Sequence, residues 1–283
     1  MKKILTLVIS FLSLTSFAQT ENQVDLPIQK EKYTAHNKGK FFFYWGGNRA
    51  YYSTSDIRFT GADYDFTLNN VTAQDKPKGY HIDYINPSRM TIPQTNFRMG
   101  YFFNDHYNIS LGWDHMKYVM YQDKVVNYSG NYPNEGTFDE SLPGNQVLLT
   151  EKFLTFEHTD GLNYIHPEIT RVDDISKWFS LPNTDKFQIN LSEGFGAGVL
   201  LPKTNTKLFA KERYDEFHLS GYGVSAKAGL TFTFYKHFFI QTELKTGYIN
   251  MNDIRTTFDV ADKAQQNFWF IQSMIAFGGI FKI

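Results

Sequence analysis

The chain of 283 residues contains no cysteine, so it forms no disulfide and carries no lipid-modified cysteine. It has no excess charge of either sign, with 28 lysines and arginines against 29 aspartates and glutamates, and no basic block that would suggest nucleic acid as a partner. After the first 20 residues it also has no apolar run near the ~20 residues that a spanning helix needs. These absences exclude a lipoprotein, a nucleic-acid-binding protein and a helical membrane protein.

The N-terminus has the three parts of a secretory signal peptide. A basic start, Met1-Lys2-Lys3, precedes the apolar run ILTLVISFLSL, and small residues follow at Ser16 and Ala18. This order predicts a signal peptide over residues 1–18. Residues 19–38 are polar and are expected to form an N-terminal arm in the periplasm, so the folded domain is expected at 39–283.

Aromatic residues are the abundant class, with 27 Phe, 18 Tyr and 4 Trp in an exported chain. A transmembrane β-barrel uses such side chains on its lipid-facing wall and in a girdle at each interface. Alternation favours this interpretation: Phe97, Met99 and Tyr101 alternate with Arg98 and Gly100, as in a strand with one apolar face. Eight segments alternate in this way, at 41–52, 94–103, 107–120, 162–174, 187–201, 218–234, 238–250 and 267–283.

The connections between these segments alternate in length. Those at 104–106, 175–186 and 235–237 are short or modest, whereas those at 53–93, 121–161, 202–217 and 251–266 are long. Short periplasmic turns and long external loops are the pattern of outer-membrane barrels. The sequence therefore predicts an all-β, antiparallel up-and-down transmembrane barrel of about eight strands in the bacterial outer membrane, with both termini periplasmic. Runs at 56–68 and 147–158 either extend these strands above the membrane or add a pair, which would give ten.

Architecturally, residues 39–283 resemble the small outer-membrane β-barrel proteins common in Bacteroidota. The resemblance depends on the leader ending SFAQ, on the amphipathic final strand and on glycine-punctuated strands with Gly194, Gly196, Gly198, Gly221, Gly223 and Gly229. It implies a barrel and a location but no activity, because most members of this group have no assigned function.

Charged residues at mid-strand positions are expected to face the lumen, since an Arg or Lys facing lipid at the bilayer midplane costs ~2–4 kcal/mol. An eight-stranded barrel has room for side chains but not for a wide channel, so these charges are expected to pair into a plug, with an ion-selective pore as the alternative. Glu193 falls on the lipid-facing side of its strand, and a bulge near Gly194 would reverse that. The predicted lumen charges are Arg98, Asp114, Glu168, Lys227, Glu243 and Lys245.

Two polar segments at the outer rim are candidates for chemistry. Asp114, His115, His158 and Asp160 flank the same external loop and could hold a divalent metal or supply a general base, although their spacing matches no metal motif. Simple polar anchoring of the loop to lipopolysaccharide head groups is the alternative. No cofactor is expected.

The second candidate is a hydrolytic triad. His218 and Ser220 are two residues apart on a predicted strand, and hairpin pairing places Asp253 about opposite His218. The arrangement resembles outer-membrane lipid A deacylases, which carry a His-x-Ser pair on one strand and a carboxylate on a neighbour. Gly221 follows the serine where those enzymes prefer asparagine.

The sequence thus favours a non-enzymatic outer-membrane barrel with a structural or surface-binding role carried by its long loops. The alternatives are a lipid A-modifying hydrolase, and a small pore or accessory subunit of a larger complex. Expected partners are outer-membrane lipid and lipopolysaccharide, with a protein or glycan ligand at the loops. The chain is expected to be a monomer or a subunit of a larger membrane complex.

Overall fold

The computed structural model describes residues 36–79, 81–84, 86, 89, 93–131, 141–181 and 184–282. The predicted signal peptide at 1–18 and residues 19–35 of the predicted arm lie outside the described residues. The described part of the chain contains no helix with the length and apolarity that a membrane crossing requires.

Eight long strands form a closed antiparallel barrel. Each pairs with the next along the chain, and the first also pairs with the last, from Lys40 opposite Lys282 to Tyr52 opposite Phe270. The strands are β1 (Lys40–Tyr52), β2 (Thr95–Phe102), β3 (Tyr107–Met116), β4 (Leu162–Asp174), β5 (Phe187–Leu200), β6 (Gly221–Phe234), β7 (Phe238–Arg255) and β8 (Lys263–Lys282). The predicted all-β antiparallel barrel and the count of eight are confirmed, and the ring of ten is wrong. The periplasmic location of both termini stays a prediction.

Alternation sorts the side chains of each strand between the inside and the outside of the barrel. In β2, Arg98 is buried while its neighbour Met99 is 53% exposed, as the period of two requires. The exposed outer positions form an apolar belt that includes Phe43, Met99, Ile109, Leu111, Ile169, Phe195, Val224, Leu244, Ile275 and Phe277. Exposed aromatic rings lie towards both ends of this belt, with Tyr101, Tyr107 and Phe281 at one end and Tyr51, Tyr222 and Trp269 at the other. This is the outer surface that a bilayer stabilises.

The connections at the two ends of the barrel differ, as the sequence predicts. Three connections lie at the short-turn end, namely residues 103–106, 175–186 and 235–237. The first residue of β1, Lys40, and the last residue of β8, Lys282, lie at the same end. At the long-loop end, the connection between β7 and β8 is only 256–262, shorter than the predicted 251–266. Both strands continue beyond the expected boundary, because pairing resumes at Ile254 and Ala264 after a bulge that begins at Met251.

The long loops fold into further β-structure, which we call the head. The hairpin of Ser55–Thr60 and Asp65–Val71 pairs onto the first residues of β8, so it extends the barrel wall and adds no membrane strand. The same sheet continues through Val125–Asn131, Gln146–Leu148 and Ser141–Leu142. A separate sheet contains Ala73–Gln74, Val119–Met120, Leu154–Glu157 and Asn205–Leu208.

A hydrophobic core fills the head and the adjoining end of the barrel. Phe59 is fully buried, stacks on Phe66 at 5.4 Å between ring centroids and meets the edge of Phe156 at 5.6 Å. Tyr118 stacks on Phe268 of β8 at 5.1 Å, which links the head to the barrel wall. Burial of each such aromatic side chain contributes roughly 1.5–3 kcal/mol, so this core stabilises the head and joins it to the barrel. The described parts of the long loops are therefore folded.

Candidate functional sites in the lumen and at the rim

A cluster of charged side chains occupies the middle of the lumen. Its members come from five strands and face inward because they share the parity of the buried positions on their strands. Each of the six charged side chains, and His166, exposes 3% of its surface or less. We call this the lumen network: Arg98, Asp114, His166, Glu168, Lys227, Glu243 and Lys245.

Glu168 is at the centre of the network. Its Oε1 lies 2.5 Å from Nη1 of Arg98 and 2.6 Å from Nζ of Lys227. Lys227 also donates to Oε2 of Glu243 at 2.8 Å. Lys245 donates to Oδ2 of Asp114 at 2.5 Å. Three cations thus face three carboxylates, so each buried charge has an opposite charge within 2.8 Å, as charges removed from water require.

His166 belongs to the network although it was not among the predicted lumen residues. Its Nε2 lies 2.9 Å from Nη2 of Arg98, and its ring stacks on Tyr164 at 4.0 Å. His166 has the same parity as Glu168, which is the sequence signal that could have placed it inside. Gly112 makes room for the arginine, because a Cβ there would lie 2.6 Å from Nη2 of Arg98.

The lumen network and the head together close the barrel interior. Below the network, a cleft of about 60 Å³ opens towards the short-turn end, with room for only a few water molecules. Above it, the hydrophobic core contains Phe268 and Phe270 of β8 and Tyr164 of β4. The described residues therefore leave no continuous wide channel.

The four predicted metal ligands at the rim lie apart. Asp114 faces the lumen and binds Lys245, whereas the next residue, His115, faces the opposite side and shares a 2.8 Å hydrogen bond with Oδ1 of Asn163. Asp160 is half exposed and lies 3.7 Å from Lys203. Among the residues that the structure describes, no three His, Asp or Glu side chains are arranged to hold a metal.

His158 lies inside the core of the head. Its Nδ1 is 2.9 Å from Oγ1 of Thr204, and the rings of Tyr118 and Phe156 pack against it. Burial lowers the pKa of His158 to about 4, so the imidazole is neutral near pH 7. This histidine is a core side chain in the described structure.

Two of the three predicted triad residues are in contact. Nε2 of His218 lies 2.9 Å from Oδ2 of Asp253, which also pairs with Lys263 at 2.7 Å. Ser220 is 2% exposed, and its Oγ donates to the backbone carbonyl of His218 at 3.3 Å. The strand β6 begins only at Gly221, so His218 and Ser220 precede the strand on which they were predicted to lie. Backbone bonds from Asn252 and Asp253 to the carbonyl of Ser220 replace regular pairing there.

Glu193 keeps its outward parity, and the predicted bulge near Gly194 is wrong. The pairing of β5 with β6 is continuous from Phe187 to Leu200. Directly across from Glu193 on β4 is Arg171, another outward charge, which binds Asp173 at 2.6 Å. These charges are near the short-turn end of β4, beside the ring of Tyr107.

No family model and no curated protein matches this sequence. Among solved structures, the chain is similar to the outer membrane protein OprG from Pseudomonas aeruginosa, at 12% identity and a TM-score of 0.40, over 88% of this chain and 99% of that chain. It is also similar to the outer membrane protease OmpT from Escherichia coli, at 7% identity and a TM-score of 0.38, over 88% and 99% of the two chains. A third is Neisserial surface protein A, at 7% identity and a TM-score of 0.30, over 84% and 97%.

The geometry of the barrel itself defines the class of protein. The eight antiparallel strands close into a ring in which every strand is paired on both edges. The outside of the barrel is apolar with aromatic rings towards both ends, and the charges of the lumen network are inside. A closed barrel of this kind is one of the two structures that can span a bilayer. The protein is an integral β-barrel of the bacterial outer membrane.

Proposed function

We propose that the protein is a non-enzymatic, non-conducting outer-membrane barrel that presents its folded head as a binding surface outside the cell. The observation that carries this proposal is the hydrophobic core of the head, in which Phe59, Phe66 and Phe156 are fully buried. Flexible loops would suffice to join strands, whereas a head packed on a hydrophobic core holds surface residues in fixed positions, as binding sites require.

The filled lumen supports the non-conducting part of the proposal. An ion would have to displace Lys227 or Arg98 from Glu168, and the loss of one partner from a buried ion pair costs about 3–5 kcal/mol. In the membrane, lipid and lipopolysaccharide surround the wall, while a protein or glycan ligand meets the head. The protein acts as a monomer or as a subunit of a larger complex, and a pull-down in mild detergent would distinguish these two states.

Planar-bilayer recording tests the proposal. The refolded chain should insert without steady conductance steps in molar potassium chloride. A variant with Arg98→Ala and Glu168→Ala together, which removes a neutral pair from the lumen, should show steps if the network is the barrier. Steady open-channel conductance of the unaltered chain would refute the proposal and favour a pore.

The contact between His218 and Asp253 favours a second candidate, a hydrolase acting on lipid A. A histidine oriented by a carboxylate is the base of a triad, although Oγ of Ser220 donates to a backbone carbonyl in the described structure. Lipid A mass spectra from wild type, a deletion and a His218→Ala, Ser220→Ala double variant test it. A loss or gain of an acyl unit in both altered strains would support the enzyme, and identical spectra would exclude it.

A further inference from the structure

The head contains a groove between the residues 207–216 and the connection from β7 to β8. Its volume is about 490 Å³, within the range of small-molecule and oligosaccharide sites. The rings of Tyr214 and Phe258 lie side by side in it, with centroids 5.3 Å apart, and Phe258 is 57% exposed. Phe258 thus offers an apolar ring to solvent within a groove lined mostly by polar side chains.

The charged side chains around these rings balance one another. Three cations and three carboxylates line the groove, namely Lys207, Lys211, Arg213, Glu212, Asp215 and Glu216. Lys211 is bound to Asp262 at 3.1 Å, and Arg213 lies 3.4 Å from Asp215. In the part of the chain that the structure describes, Lys207, Glu212 and Glu216 have no ion pair or side-chain hydrogen bond. The groove therefore offers one free donor group and two free acceptor groups beside an aromatic floor.

The backbone that forms the groove is held in an unfavourable conformation. Phe209, Ala210 and Asp215 have φ angles of 52°, 56° and 49°, in the left-handed region that residues other than glycine rarely adopt. Such conformations persist where surrounding contacts impose them and concentrate at ligand sites. Here the contacts include the bonds from the amide of Phe209 to the carbonyl of Phe153 and from the amide of Tyr214 to the carbonyl of Thr256.

A buried carboxylate fixes the two sides of the groove to the rest of the head. Asp262 accepts hydrogen bonds from the hydroxyl of Tyr64 at 2.9 Å, from Lys211 at 3.1 Å and from Thr257 at 2.8 Å. Burial opposes ionisation of Asp262, but these bonds prevail and lower its pKa. Because Thr257 is next to Phe258, the hydrogen bonds to Asp262 hold the ring of Phe258 in place before any ligand binds.

We propose that this groove binds an uncharged oligosaccharide. Sugar rings have apolar faces that stack on Tyr214 and Phe258, and their hydroxyl groups both donate and accept, which suits a mixture of free ammonium and carboxylate groups. A strongly anionic polymer would meet as many carboxylates as cations and gains no net attraction. The inference rests on the proposed function, since it names the ligand class of the head.

Isothermal titration of the refolded full chain with maltohexaose, cellohexaose, xylohexaose and hexagalacturonate tests the proposal. At least one uncharged hexasaccharide should bind, and Phe258→Ala should weaken that binding at least tenfold because half of the stacking floor is lost. Glu212→Gln, which retains the shape of the side chain, should weaken it less. The matched control is Tyr51→Ala, which removes an exposed ring on β1 outside the groove and should leave binding unchanged.

Any one of three results would contradict the inference. Absence of binding by all three uncharged probes would overturn it, as would tighter binding of hexagalacturonate or equal losses in Phe258→Ala and Tyr51→Ala. The bilayer recording is independent of these titrations. A silent bilayer with no sugar binding would reject the groove and leave the proposed function standing, whereas steady conductance would reject the proposed function itself.

Discussion

Replacement of Glu168 by glutamine isolates the energetic role of the lumen network. Glutamine has nearly the same shape, so no cavity forms, but the charge that faces Lys227 at 2.6 Å and Arg98 at 2.5 Å disappears. Three buried cations then face two carboxylates. Removal of one partner from a buried, hydrogen-bonded ion pair costs about 3–5 kcal/mol, and we expect the free energy of unfolding to fall by that amount.

The assay is guanidinium unfolding of the chain in phospholipid vesicles, followed by tryptophan fluorescence. The control is Arg58→Gln, which breaks an exposed pair with Asp65 in the head and should leave the midpoint unchanged. The double variant Glu168→Gln, Lys227→Met removes one charge of each sign and should recover most of the lost stability. A loss below about 1 kcal/mol for Glu168→Gln, or no recovery in the double variant, would refute the reasoning.

Three further outcomes follow from the head and its position. In intact cells a membrane-impermeant maleimide should label Glu151→Cys in the head and should not label Lys236→Cys in a short turn. Because the sequence has no cysteine, each variant contains a single reactive thiol. Labelling of Lys236→Cys but not of Glu151→Cys would contradict the predicted orientation. Phe59→Ala should destabilise the head by about 3–5 kcal/mol, which should appear as earlier proteolysis in the loops than in the barrel, and equal cleavage of both would contradict a local role of Phe59 in the head. The imidazole of His158 is neutral in the folded protein, whereas in the unfolded chain it takes up a proton as the pH falls from about 6.5 to 4. The free energy of unfolding should therefore fall by up to about 3 kcal/mol in that pH range. A His158→Phe variant should not show that loss.

The barrel could be predicted from sequence because its strands are long enough to show a period of two. In β2 the prediction of residues 94–103 matches Thr95–Phe102, and the parity that exposes Met99 also places Arg98 inside. The register of the hairpin follows from the turn at Asn104 and Asp105, since local geometry fixes it.

The head could not be predicted in the same way. Its strands are short, such as Val119–Met120, which pairs with Ala73–Gln74 and with Glu157. A strand of two residues is too short to show an alternating pattern, and its conformation depends on partner strands that are distant in sequence. The prediction of 251–266 as the connection between β7 and β8 was wrong for a related reason. Pairing resumes after the bulge at Met251, so both strands extend beyond the residues that alternate clearly in the sequence.

The candidate rim site shows an error that the sequence could have prevented. Adjacent residues on a strand point to opposite faces, so the parity that places Asp114 in the lumen also excludes His115 from it. The contact between His218 and Asp253, in contrast, follows from counting across the hairpin. The groove around Tyr214 and Phe258 gave no sequence signal, because its two sides come from different loops and meet only in the folded chain, through contacts such as that of Lys211 with Asp262.

The seam between β1 and β8 has a consequence for how the protein is made. Pairing from Lys40 to Tyr52 needs residues 270–282, which are synthesised after the seven other barrel strands. Until those residues arrive, β1 presents an unpaired edge, and such edges promote aggregation in water. Contacts between the two ends of a chain are also slow to form. The ring can therefore close only after β8 is available, so the survival of the unclosed chain depends on protection of the first strand rather than on the stability of the finished barrel.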